Sequence, residues 1–214
     1  MIIEIYADFI CPWCYIGRHR LRRALEMRPN ARFDLRWRAF QLNPDMPPAG
    51  TDSASHMASK FGSLERALQM YSTVAEAAAH DKLPLALDRI TRTPNTMAAH
   101  RLVQFAASLN RPDVAVDRLV DLLFEAYFVH GEDIGDPAVL IDRAQMVGLD
   151  PIEVGAFLAT EDGVAAVRTS DVVARQVGIQ AVPFFVLNRR YGVAGAQEPD
   201  AILPLLDVAA AEAA

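Results

Sequence analysis

The chain has 214 residues, 27 acidic against 21 basic side chains for a net charge of −6, and 52% hydrophobic against 22% charged residues. That balance excludes a largely disordered chain, and a fold of this length hides roughly 70% of its unfolded surface, so it needs no disulfide or metal staple. The acidic excess points away from nucleic acid as a partner. No stretch approaches the roughly 18 to 20 uninterrupted apolar residues of a membrane span, so no membrane partner is expected.

The first residues have no basic start and no apolar run of signal-peptide length, which predicts a cytoplasmic protein. In a reducing compartment a purely structural disulfide is disfavoured, so Cys11 and Cys14 call for redox chemistry, metal binding or plain packing. Residues 2–7 (IIEIYA) read as a strand. From Pro12 to about Met27 the apolar residues Ile16, Leu21 and Leu25 recur at helical spacing, and Pro29 and Asn30 end the run. Residues 33–40 (FDLRWRAF) alternate like a second strand, completing a strand, helix, strand unit. Trp37, between Arg36 and Arg38, fits this alternation better than a ligand clamp. Arg18, Arg20, Arg22, Arg23 and Arg28 read as a solvated face near the favourable end of the helix dipole.

Between about Ser53 and Val177 the pattern becomes helical, with roughly six helices expected. Thr93-Pro94, Asp136-Pro137 and Asp150-Pro151 each offer a capping side chain followed by a proline whose missing N–H costs nothing in a first turn. Gly148 and Gly178 suit helix stops. Met57, Met70 and Met97 are expected as core fillers. His100 either lines a cleft or is a solvated or capped helix histidine.

Past Gly178 strands return at 182–187 and 191–194, joined by the hairpin-length Asn188-Arg189-Arg190, and a last helix runs from about Pro199 to Ala210. Strands split around a helical block predict an α/β fold interrupted by an all-helical insertion. Its parts are a discontinuous domain of residues 1–50 and 178–214 and an insertion of residues 51–177.

The chemistry concentrates in Cys11-Pro12-Trp13-Cys14. At a strand-to-helix junction this spacing makes Cys11 the N-cap and Pro12 the first helical residue. The amides of Trp13 and Cys14 are then expected to point back at the Cys11 sulfur and, with the helix dipole, to stabilise an outward thiolate. Cys14, one turn in and less open, can release a substrate captured on Cys11. A zinc site would need a second ligand pair, and the histidines at 19, 56, 80, 100 and 130 offer no short ligand spacing, so no metal is expected.

These residues carry a resemblance. Asp8-Phe9-Ile10-Cys11-Pro12-Trp13-Cys14-Tyr15-Ile16-Gly17, Trp37-Arg38-Ala39-Phe40-Gln41-Leu42-Asn43-Pro44, Asn95-Thr96 with Ala99-His100-Arg101-Leu102, and Val182-Pro183-Phe184-Phe185-Val186 with Gly195-Ala196-Gln197 together resemble the thioredoxin-like DsbA family. The match is specifically to its FrnE-like branch, related to 2-hydroxychromene-2-carboxylate isomerase. The resemblance implies a thioredoxin-like fold with a helical insertion, catalytic Cys11 and Cys14, and a cis bond between Val182 and Pro183 facing them. It also implies that Pro12, Trp13, Val182 and Pro183 contact substrate, the Val182 backbone pairing with an extended segment.

Two departures stand out. Thioredoxin and DsbA place a buried acid six residues before the first cysteine, where this chain has Ile5; water, Glu4 and Asp8 are the candidates to take the proton of Cys14. DsbA also carries His between its cysteines, so the Cys11 thiolate lacks that cationic support.

The expected activity is thiol–disulfide exchange with a protein or small-molecule thiol or disulfide. The Cys11–Cys14 disulfide serves as the redox group, with no metal, flavin or nucleotide, glutathione as the candidate co-substrate, and a homodimer left open. The runner-up is a glutathione-dependent isomerase or kappa-class-like transferase. Those relatives carry Ser at the first cysteine position and a Ser-Asp pair where this chain has Ala196-Gln197. A third reading is a non-catalytic binding or scaffold protein, which would cycle its thiols without turning over substrate.

Overall fold

The computed structural model describes residues 1–211. The chain opens with β1 (Ile2–Ala7), α1 (Pro12–Glu26) and β2 (Asp34–Ala39), as the spacing predicts. The middle holds β3 (Thr51–Asp52), α2 (Ser53–Phe61), α3 (Leu64–His80), β4 (Arg92–Thr93), α4 (Met97–Ser108), α5 (Val116–Phe128), α6 (Pro137–Gln145), α7 (Pro151–Leu158) and α8 (Val164–Gln176). It closes with β5 (Phe184–Leu187), β6 (Tyr191–Ala194) and α9 (Pro199–Ala211); the last three residues of the expected second segment lie outside the described ones.

The main sheet runs β2-β1-β5-β6, with β2 parallel to β1 and the other neighbours antiparallel. Parallel pairing of β1 and β2 requires a crossover, which α1 supplies. As a central strand β1 is buried from Ile3 to Ala7, including Glu4, whose carboxylate accepts from Arg38 at 2.6 Å. The β5–β6 hairpin needs positive φ at Asn188 (48°) and Arg189 (58°). Asn188 fits this turn twice over: its side chain accepts from the Ile2 amide at 3.0 Å and donates to the Ala209 carbonyl at 2.8 Å.

In the insertion the described residues form seven α-helices where roughly six are expected. The extra break is at Gly62, with φ of 82°, after which the Ser63 hydroxyl caps α3 by accepting from the Arg66 amide. Asp136 and Asp150 cap α6 and α7 as predicted, accepting at 2.9 and 2.8 Å. Thr93-Pro94 does not start a helix. Thr93 pairs instead with Thr51 in a two-stranded ribbon, and α4 begins at Met97, whose amide donates to the Asn95 side chain. Gly148 and Gly178 take positive φ beyond α6 and α8, as helix stops require.

The basic run on α1 is also corrected. Arg18 and Arg20 are buried: Arg18 donates to Asp121 of α5 at 3.0 Å, and Arg20 to Asp81, past the end of α3, at 2.5 Å. Trp37 sits in β2 with its ring N–H on Asp117 of α5 at 2.7 Å. Met57 is buried, with the Tyr71 hydroxyl on its sulfur, whereas Met70 is 47% exposed and fills no core.

One hydrophobic core joins sheet and insertion. Phe9 and Tyr15, flanking the cysteines, meet Phe124 of α5 at ring distances of 5.2 and 5.7 Å, and Tyr15 stacks on Phe128 at 5.5 Å. Between helices, buried Arg101 of α4 donates to the Phe157, Thr160 and Asp162 carbonyls at 3.0, 2.6 and 2.6 Å, gathering the end of α7 and the turn after it. Hydrogen bonds to a charged group are worth about 1.5–3 kcal/mol each, so Arg101→Ala should cost about 3 kcal/mol or more, read as a lowered urea midpoint with unchanged slope.

Candidate active site

The turn from β1 into α1 is closed by the Cys11 amide on the Asp8 carbonyl at 3.1 Å. Cys11 is the N-cap, in extended conformation, and Pro12 is the first helical residue. The sulfur does not lie where the spacing predicts. The Cys14 amide donates to the Cys11 carbonyl at 2.9 Å, no side-chain cap forms, and the Cys11 thiol turns to donate to the Val182 carbonyl at 3.5 Å. A thiol is a donor and seeks an acceptor, which the helix amides cannot be. Nor is Cys11 outward: it is 5% exposed, against 1% for Cys14.

Pro12 and Trp13 are half-buried at the helix start, and Val182 and Pro183 are buried opposite, joined by a cis bond. The structure thus gathers the expected site residues around the sulfurs. It shows why Gly17 follows them: a Cβ there would meet Pro183 Cγ at 2.7 Å, closer than side chains pack. Burial pushes the Cys14 thiol well above its ordinary value; its hydrogen bond with the Cys11 side chain and the neighbouring Cys11 and Asp8 charges act in the same direction.

Behind Cys14 lie residues that the sequence left open or missed. Asp8 is fully buried, one carboxylate oxygen accepting from the Leu42 amide at 2.7 Å and the other facing His100 Nε2 at 3.4 Å. His100 is therefore neither solvated nor capped: it is a buried partner of Asp8, its ring 5.0 Å from that of Phe9. Asp171 of α8, which no local pattern singles out, accepts from the Gln41 amide at 2.9 Å, and Arg175 donates to the Gln41 carbonyl at 2.7 Å. The signal within reach was the motif set itself: Asp8, Gln41, Leu42, Thr96 and His100 all belong to the segments quoted above.

At the glutathione-type position, Gln197 folds its side chain onto the Ala194 carbonyl at 2.8 Å, and the Ala196 carbonyl accepts from Arg20 at 2.7 Å. His80, Asp81 and Glu198 bring ligand atoms within 4.8 Å of one another, but Arg20 lies on both carboxylates at 2.5 and 2.6 Å, a cation already in place. A groove of about 1130 Å³ between β2, α4 and α8 has neither cysteine in its wall. The two cysteines lie instead at the start of α1.

Residues 2–207 match the DSBA-like thioredoxin domain family. A probable DsbA oxidoreductase from Streptomyces coelicolor is 31% identical and superposes with a TM-score of 0.85, over 99% of this chain and 91% of that one. YwbO of Bacillus subtilis, itself uncharacterised, is 26% identical over 87% of this chain and 86% of its own. In fold the chain is also similar to a 2-hydroxychromene-2-carboxylate isomerase, with a TM-score of 0.69 at 16% identity over 97% and 94% of the two chains.

Two outcomes are expected. Iodoacetamide at neutral pH should label Cys11 before Cys14, and Cys14 labelling should climb as pH rises, because its raised thiol value leaves little thiolate at neutrality. Peptide mapping reads the order, and earlier labelling of Cys14 reverses the roles. Gly17→Ala should cost about 1–3 kcal/mol by overpacking against Pro183, measured by urea unfolding.

Proposed function

This chain belongs to the DSBA-like thioredoxin domain family, and from that premise we propose that it is a thiol–disulfide oxidoreductase working through Cys11 and Cys14. The observation that carries the reading is the asymmetric pair within one helical turn: two hydrogen-bonded thiols, the deeper held protonated by burial and the shallower against the Val182 carbonyl.

In that arrangement Cys11 attacks a substrate disulfide, forming a mixed disulfide and releasing one substrate sulfur. Cys14 then attacks the Cys11 sulfur and frees the second. The reverse sequence oxidises a substrate dithiol. Val182 offers its backbone beside the reacting sulfur, where an extended substrate segment aligns by main-chain hydrogen bonds, with Pro12, Trp13 and Pro183 as its contact surface. No metal, flavin or nucleotide takes part, because the Cys11–Cys14 disulfide is itself the two-electron group. Substrates are protein or small-molecule thiols and disulfides. Glutathione serves at most as a co-substrate, since the positions that hold it in the isomerase-type relatives are here Ala196 and Gln197, one engaged by Arg20 and the other closed on its own turn.

Replacing the resolving cysteine tests this. Cys14→Ser leaves Cys11 able to attack but nothing to release it, so mixed disulfides should accumulate on Cys11 in cells and disappear in the Cys11→Ser variant. Non-reducing gels and intact-mass analysis should show mainly protein adducts or a disulfide-bearing metabolite. Dominance of a glutathione adduct, with saturable glutathione binding to Cys11→Ser, would assign the chain to the glutathione-dependent class instead.

A further inference from the structure

The resolving step proposed above needs a proton acceptor for Cys14, with water, Glu4 and Asp8 as the candidates. Burial keeps Cys14 as a thiol, and Ile5 occupies the position where thioredoxin and DsbA carry an acid. Glu4, one candidate substitute, is held by two guanidinium nitrogens of Arg38 at 3.0 and 2.6 Å.

The structure holds another acid. Asp8 lies three residues before Cys11, and its charge is among those that push the Cys14 thiol up. Only one of its carboxylate oxygens is occupied, by the Leu42 amide. The other, Oδ1, has no hydrogen-bond partner; neither has His100 Nε2, 3.4 Å away, nor Gln104 Oε1, one helical turn further along α4. Among the described residues these are the buried side-chain polar atoms left unsatisfied. From His100 and Gln104 there is a way to solvent. A cavity of about 10 Å³ lined by His100, Gln104, Trp37 and Arg38 adjoins the groove of about 1130 Å³, which shares Trp37, Arg38 and Gln104 in its wall. That volume suits about one water molecule.

We propose that Asp8 and His100 act together as the proton acceptor for Cys14, passing the proton outward past Gln104; the inference rests on the dithiol reading. In the step, the Cys14 S–H proton moves to the Asp8–His100 pair. The Cys14 sulfur bonds to the Cys11 sulfur, and the bond from Cys11 to the substrate sulfur breaks, its electron pair leaving on the substrate thiolate. Cys11 and Cys14 end oxidised by two electrons and the substrate disulfide ends reduced. Facing the pair are Cys14 with Cys11 beside it on α1, Tyr127 of α5, and Arg38 of β2 across the small cavity. Burial pushes the Tyr127 phenol far up, and its hydroxyl is engaged with the Arg92 carbonyl, so it does not compete.

The sign of one substitution separates this role from plain electrostatics. As a fixed negative charge Asp8 only holds back the Cys14 thiolate, so Asp8→Asn would speed resolution; as proton acceptor its loss slows it. Reduced protein mixed with 5,5′-dithiobis-(2-nitrobenzoate) releases one thionitrobenzoate when Cys11 attacks and a second when Cys14 displaces the one bound to Cys11. In Asp8→Asn the ratio of second to first rate at neutral pH should fall at least about tenfold, the low end of general-base contributions, and recover as pH rises and hydroxide takes over. His100→Gln, on a separate helix, should depress the same ratio, which keeps the test alive if Asp8→Asn fails to fold. A ratio unchanged or raised in either variant, or depressed equally at every pH, overturns the proposal. A wild-type protein that releases a single thionitrobenzoate has no resolving step, which defeats the dithiol reading itself.

Discussion

The site depends on α1 being covered from both sides. A helix on a protein surface buries one stripe, yet here Cys14, Tyr15, Ile16, Gly17 and Arg18 are buried in succession. Pro183 and the sheet close one face, while Phe124, Phe128 and Asp121 of α5 close the other. From that double cover come a glycine where no Cβ fits, arginines that must find carboxylates, and a second cysteine too deep to ionise readily. An unpaired buried charge is costly, so Arg18 and Arg20 are tolerable only because Asp121 and Asp81 meet them.

Polar groups of the β1–α1 turn and of α8 fix the loop that follows β2. Asp8 receives the Leu42 amide, Asp171 the Gln41 amide, and Arg175 donates to the Gln41 carbonyl, with its guanidinium 4.3 Å from the centre of the Phe40 ring. The backbone groups of Gln41 and Leu42 are thereby satisfied internally. Asp8 is thus a structural anchor through one oxygen, while its other oxygen has no hydrogen-bond partner.

Local chemistry was legible in the sequence and long-range pairing was not. The strand-to-helix junction at Cys11, the Asp-Pro caps at Asp136 and Asp150, and the Asn188 hairpin are set by neighbours in the chain, so composition and spacing reveal them. Thr93-Pro94 misleads because its cap signal competes with a strand partner at Thr51, far away in sequence. The orientation of the Cys11 sulfur fails for the same reason: the helix amides are local, but the carbonyl that the thiol prefers belongs to Val182. Asp8 with His100, and Arg18 with Asp121, carry no periodic signature, because buried polar neighbours are recognised only when the fold brings their halves together.

Arg20 joins parts of the chain that are remote from one another. Its guanidinium holds Asp81 beyond α3, the Ala196 carbonyl beyond β6, and Glu198 at the start of α9, all from within α1. If the insertion swung away, or if the C-terminal segment peeled off, this buried cation would lose one of its two carboxylates. Separating the insertion or the C-terminal segment from α1 therefore carries the cost of uncovering a charge pair at Arg20.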